Sequence, residues 1–100
     1  MKVFIFIFYL IITGNVSWYS SGNYKDGSKF MGDKMTTACY KEYRYKTFRV
    51  TYKNRTIEVK CNDTGEFKRL GRVLDLSKAA FVKLAPASQG IIRGAKIEML

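Results

Sequence analysis

The chain is expected to fold as one small, mainly β domain, a compact barrel or an α+β arrangement with a single short helix. Residues 46–61 hold two stretches of apolar/polar alternation joined by a hairpin-length link, and the tail from residue 91 is rich in β-branched and apolar residues. Between them Ser77 stands as an N-cap before a brief helical pattern. One hundred residues leave no room for a second domain, and with 47% hydrophobic and 15% aromatic residues the chain can bury a core.

The chain opens with Met1 and Lys2, then an unbroken apolar run over residues 3–12, VFIFIFYLII, then Thr13 and Gly14. A run of this length matches the apolar core of a secretory signal, about 7 to 15 residues, and falls short of the roughly 20 that span a bilayer. Residues 1–14 are therefore expected to be a signal peptide, with an uncleaved anchor or a buried strand as the alternatives. Residues 15–100 would then form the mature domain, secreted or periplasmic. NVSWYSSG, 15–22, is a short aromatic strand candidate, and NYKDGSKFMGD after it is a loop rich in Gly and Asp. In KTFRVTY, 46–52, Phe48, Val50 and Tyr52 share one face; in TIEVKC, 56–61, Ile57, Val59 and Cys61 alternate with Glu58 and Lys60. KNR between them closes a hairpin. GRVLDL is a further strand candidate, and Ser77 then opens KAAFVKLA, with Ala80, Phe81 and Leu84 at helical spacing and Pro86 as the stop.

Eighteen Lys and Arg against eight Asp and Glu give a net charge of +10. Such a surplus favours anionic partners: phosphate-bearing wall polymers, acidic glycans or nucleic acid. Export argues against nucleic acid, and neither a helix-turn-helix nor an RNA-binding aromatic motif is present, so no nucleic acid is expected as partner. Membrane contact is expected only through an uncleaved N-terminal segment. KEYRYK, 41–46, interleaves Lys41, Arg44 and Lys46 with Tyr43 and Tyr45, either a solvated basic face or a surface for a phosphate-bearing polymer. With no His and two Cys a zinc site of the usual ligands cannot be built, and no metal or other cofactor is expected. In an exported chain Cys39 and Cys61 are expected to be bonded, the alternative being two buried thiols. Sequons at Asn15, Asn54 and Asn62 matter only where the source glycosylates exported proteins. Asp63, in NDTG, is either a turn residue or a carboxylate of a reaction centre, and Asp75, in VLDLS, is either such a carboxylate, a partner for Arg72, or a carboxylate near the positive start of the Ser77 helix. Trp18, Tyr19, Tyr24 and Phe67 are candidates to line a groove for sugar rings, or else core.

Taken in order, SWYS, TTAC, FRVTYKNRTIEVKCNDTGEF, GRVLDLSKAAFVKLAP and GAKIEML resemble the RlpA-like double-psi β-barrel family over about residues 17–100. That family includes wall-directed lytic transglycosylases together with expansin-like and barwin-like proteins. The resemblance implies a six-stranded double-psi β-barrel with one short helix, and a cell-wall polysaccharide, peptidoglycan or a related glycan, as partner. It implies that Asp63 of CNDTGEF serves as acid or base and that Asp75 of VLDLS matters beside it, raising the pKa of Asp63 by like-charge repulsion. Ser20 would place a sugar hydroxyl, and Cys39 and Cys61 lie next to blocks that converge in the family, which favours their disulfide. The family His after Thr-Ala-Ala falls on Cys39, the Glu after a loop glycine falls on Ser28, and Arg and Pro of the Asp block become Thr64 and Glu66. These departures imply weak turnover or none. Two functions therefore compete: a peptidoglycan lytic transglycosylase using Asp63, and a non-catalytic expansin-like wall-loosening or carbohydrate-binding module.

Overall fold

The computed structural model describes residues 10–19, 34–65 and 71–100. Residues 1–9 and the expected site residues Ser20 and Phe67 lie outside them, as do Tyr24, Ser28 and Glu66. The described residues form strands β1 (Leu10–Tyr19), β2 (Thr36–Cys39), β3 (Thr47–Tyr52), β4 (Arg55–Thr64), β5 (Arg72–Ser77) and β6 (Ile91–Met99). One short helix, α1 (Lys78–Val82), and single 3-10 turns at Lys41–Tyr43 and Ala87–Gln89 complete them. The strands close a barrel in the order β1-β5-β2-β4-β3-β6. β1 with β5 and β2 with β4 run parallel, and the other four pairings are antiparallel. Parallel neighbours cannot be joined by a tight turn, so the chain crosses over between them. The result is the six-stranded double-psi β-barrel that the resemblance implies.

The alternation read in the sequence is the alternation of the barrel wall. Phe48 and Val50 of β3 and Ile57, Val59 and Cys61 of β4 are buried, and they meet Val16, Leu74, Leu76, Ile92 and Ile97 from the remaining strands in one core. Ser77 caps α1, its Oγ accepting the Ala80 amide at 3.2 Å. The helix ends at Val82, ahead of Pro86, which instead starts the 3-10 turn after it. Cys39 and Cys61 form a disulfide buried in the core, so the alternative of two free thiols is removed.

The expected boundary between residues 14 and 15 does not fall at an edge of the barrel. β1 begins at Leu10, and residues 10–14 pair with β6 from Met99 to Ala95. Gly14 is a packing position, because a Cβ there would lie 2.4 Å from Cγ2 of Val73. Gly14→Ala is expected to cost about 1 to 3 kcal/mol through this overlap, and chemical denaturation checks it. Opposite, Gly94 sits at φ +71 in a bulge of β6, its amide donating to Asn15 Oδ1 at 3.2 Å. Among the described residues no helix is long and apolar enough to cross a membrane.

Candidate functional site

The site is a product of strand register. On β5 Leu74 and Leu76 point into the barrel, so Asp75 between them turns away from it; on β1 Val16 points in and Ser17 away; on β2 Thr37 and Cys39 point in and Ala38 away. Pairing sets Ser17 beside Asp75, Asp75 beside Ala38, and Ala38 beside Asp63. Four adjacent strands therefore carry the row Ser17, Asp75, Ala38, Asp63. Asp63 reaches the row through a bulge. Thr37 pairs with Cys61 but Ala38 with Asp63, which leaves Asn62 as an extra residue on β4. The slip reverses the alternation, so Asp63 leaves the inward face that Cys61 occupies. Two strand spacings separate the Asp63 and Asp75 backbones, about 10 Å, with one methyl group between them.

Ser17 links the two charged groups at one end of the row. Its hydroxyl donates to Asp75 Oδ1 at 2.8 Å and accepts from Arg72 Nη1 at 2.7 Å. The Tyr40 hydroxyl in turn donates to the Arg72 carbonyl at 2.6 Å. Burial raises the pKa of Asp75, and the hydrogen bond from Ser17 and the charge of Arg72 hold that rise back. The rise at Asp75 comes from its enclosure, and the Asp63 backbone stands two strands away from it. Asp63 Oδ1 accepts the amide of Thr64 at 2.9 Å, the local contact of a turn aspartate made within a strand of the site.

A raised carboxyl pKa means that the fold favours protonated Asp75. Its stabilising contribution is full below the ordinary aspartate value of 3.8 and is lost as pH rises through the higher folded value. Asp75→Asn keeps an acceptor for Ser17 without the charge. It is expected to raise the melting temperature at about pH 7 and to give no gain at about pH 3. A loss of stability at the higher pH would show that the charge is favoured there through Arg72.

Of the expected groove residues, Trp18 lies elsewhere. It alternates with Ser17, its Nε1 donates to the Ala87 carbonyl at 3.0 Å, and its ring centroid is 6.3 Å from that of Phe81. It pins β1 to the segment after α1. Tyr19 ends β1 opposite Ser77. The β1 serine brought to Asp75 is Ser17, three residues before the expected Ser20. Ser17, Ala38, Arg72 and Tyr40 were not legible as a set, because the pairings of β5 with β1 and with β2 that assemble them leave no mark in local sequence.

The KEYRYK segment adds one feature. Tyr45 is 64% exposed at φ +71, a conformation unusual for an aromatic residue, and its amide donates to the Cys61 carbonyl at 2.8 Å. The Arg44 guanidinium stands 4.9 Å from its ring centroid. An exposed ring is thereby held beside the β4 segment that carries Asp63. Among the described residues no three His, Cys, Asp or Glu side chains converge on a metal-sized site.

The family model described as lytic transglycolase, of double-psi β-barrel type, matches residues 11–95. No curated protein matches the chain. Among solved structures the chain is similar to a Streptomyces papain inhibitor, with 26% identity and a TM-score of 0.74, covering 90% of this chain and 94% of that one. It is also similar to an expansin of Clavibacter michiganensis, solved without ligand and as a mutant in complex with cellohexaose. There the identity is 22% and the TM-score 0.65, with 91% of this chain and 50% of the expansin covered. The chain thus spans half of the expansin's length, and this second likeness is one of fold.

Proposed function

Because the chain belongs to the lytic transglycolase family of double-psi β-barrels, we propose that it is a secreted, cell-wall-directed protein that binds a wall polysaccharide, peptidoglycan or a related glycan, along the row from Ser17 to Asp63. The observation that carries this reading is the register that sets Asp63 and Asp75 either side of Ala38 on one side of the sheet. Tyr45 extends the surface beside Asp63 with a ring suited to stacking on a sugar. The cellohexaose complex of the expansin supports a glycan as the ligand class.

The chemistry proposed for Asp63 is that of an acid and then a base. Its protonated carboxyl donates to the glycosidic oxygen, the bond from that oxygen to C1 breaks, and the 6-hydroxyl of the same sugar attacks C1. The hydroxyl proton returns to the Asp63 carboxylate, leaving a 1,6-anhydro end without consuming water. Ser20 places a sugar hydroxyl, and Ser17, backed by Arg72, holds the Asp75 carboxyl. The second reading, a non-catalytic expansin-like module, is favoured by Cys39: the family's His position is occupied by a sulfur locked in a buried disulfide, which can neither donate nor accept a catalytic proton.

Digestion of purified peptidoglycan by wild type and by Asp63→Asn, read by mass spectrometry, separates the two. Anhydro ends from wild type, reduced about 100-fold or more in Asp63→Asn, support the transglycosylase. Ends from both proteins alike remove Asp63 from the role. Ends from neither, with co-sedimentation on peptidoglycan retained, leave the binding module. Inhibition of papain by an equimolar amount would instead align the chain with its Streptomyces neighbour.

Export through the apolar N-terminal segment belongs to this reading. Cleavage after Gly14 would remove half of the ten-residue strand β1. The exported protein is therefore expected to keep residues 10–14, as an uncleaved segment would, and N-terminal sequencing that starts at Asn15 would contradict the role of residues 10–14 in the barrel.

A further inference from the structure

A second binding site is suggested at the opposite end of β4. Between the turn that joins β3 to β4 and the segment after α1 lies a cavity of about 390 Å³. Arg55 at its rim is eight residues from Asp63 along β4, about 25 Å at the strand rise, so the cavity is not part of the row. Its size falls in the range of small-ligand pockets, about 300 to 1,000 Å³. Val82, Leu84 and Pro86 give it an apolar wall, Tyr52 an aromatic one, and Lys53 and Arg55 two cations; among the described residues no acidic side chain lines it.

Lys53 and the ring are held in a defined arrangement. Lys53 adopts φ +56, a left-handed conformation that a turn more commonly gives to Gly or Asn, and its ammonium stands 5.4 Å from the Tyr52 ring centroid. The Tyr52 hydroxyl accepts from Gln89 Nε2 at 3.4 Å, and the same amide reaches the Ile91 carbonyl at 3.3 Å. Gln89 thus ties the aromatic wall to the start of β6. A ring with an apolar face and one negative group matches such a lining: the face packs on Tyr52 and the apolar wall, while the anion meets Lys53 and Arg55.

We infer that this cavity binds an anionic sugar unit, carrying a carboxylate or a phosphate, at a site separate from the Asp63 row. The inference does not depend on the function proposed for that row. The net charge of +10 attracts any polyanion, so the test must separate a local site from delocalised charge.

Isotope-labelled protein is titrated with tri-galacturonate, which carries carboxylates, with glucose 6-phosphate, which carries a phosphate, and with neutral cellohexaose. Binding of either anionic probe is expected to shift the side-chain amide signals of Gln89 and Asn54, and the probe that binds identifies the charged group. Lys53→Gln with Arg55→Gln is expected to weaken that binding about tenfold or more, as for loss of a charged hydrogen bond. The charge-matched pair Lys41→Gln with Lys60→Gln is expected to change it less than about threefold, as for exposed charges screened by salt. Asp63→Asn should leave it unchanged, so loss of glycan binding at the row and loss of binding here are read separately. Equal weakening in both double variants, or no shift at Gln89 and Asn54 with either anion, would overturn the inference.

Discussion

Replacing Cys39 and Cys61 together by alanine is expected to destabilise the protein by about 3 kcal/mol or more, from the loop entropy alone. The bond closes a loop of sequence separation 22 and both sulfurs are buried, so a cavity term adds to the entropy. For a domain of this size the melting temperature should fall by about 12 to 24 °C. The consequence reaches the site. The disulfide ties β2 to β4 one residue from Ala38 and two from Asp63, so the pairing that turns Asp63 onto the row is the pairing the bond secures. Thermal melts of the double variant and of reduced wild type should agree, and a loss below about 1 kcal/mol in both would deny the bond this role.

Phe81→Ala is expected to cost about 3 to 5 kcal/mol, the range for a buried phenylalanine. Phe81 is fully buried on α1, the helix packs on β5 and β1, and the Phe81 ring lies against Trp18. Its removal leaves a void where three elements meet. Against a total stability of about 5 to 15 kcal/mol, this loss brings the domain close to unfolding at ordinary temperature. Val82→Ala, one residue on and exposed, should change stability by less than about 0.5 kcal/mol. Denaturant midpoints of the pair measure the contrast, and equal effects would mean that α1 is not docked through Phe81.

Much of the barrel wall could be read from the sequence because its signals are local. The alternation through Phe48 and Val50, then Ile57, Val59 and Cys61, gives β3 and β4, and Ser77 gives the start of α1. Where the alternation breaks, the local signal ends. β4 continues to Thr64 because the extra residue Asn62 resets the phase, and that reset places Asp63. β1 extends to Leu10, inside a run whose apolar character equally suits an export signal, since a buried strand and a signal core make the same demand on side chains. The family resemblance supplied Asp63 and Asp75, and Arg72, three residues before Asp75, was open as its partner, but Ser17 was not legible. Ser17 meets Asp75 and Arg72 through parallel pairing across 58 and 55 residues of sequence, and no local propensity encodes such a contact.

The most direct measurement is a backbone amide shift map of labelled protein titrated with a peptidoglycan tetrasaccharide of alternating N-acetylglucosamine and N-acetylmuramic acid. Binding along the row should move signals from residues 15–17, 38–40, 62–64 and 72–75, with weaker changes at Tyr45, and Asp63→Asn should alter the pattern around residues 62–64 first. Shifts confined to residues 52–55 and 82–89, or no shifts at millimolar glycan, would contradict a polysaccharide site on the Asp63 and Asp75 face.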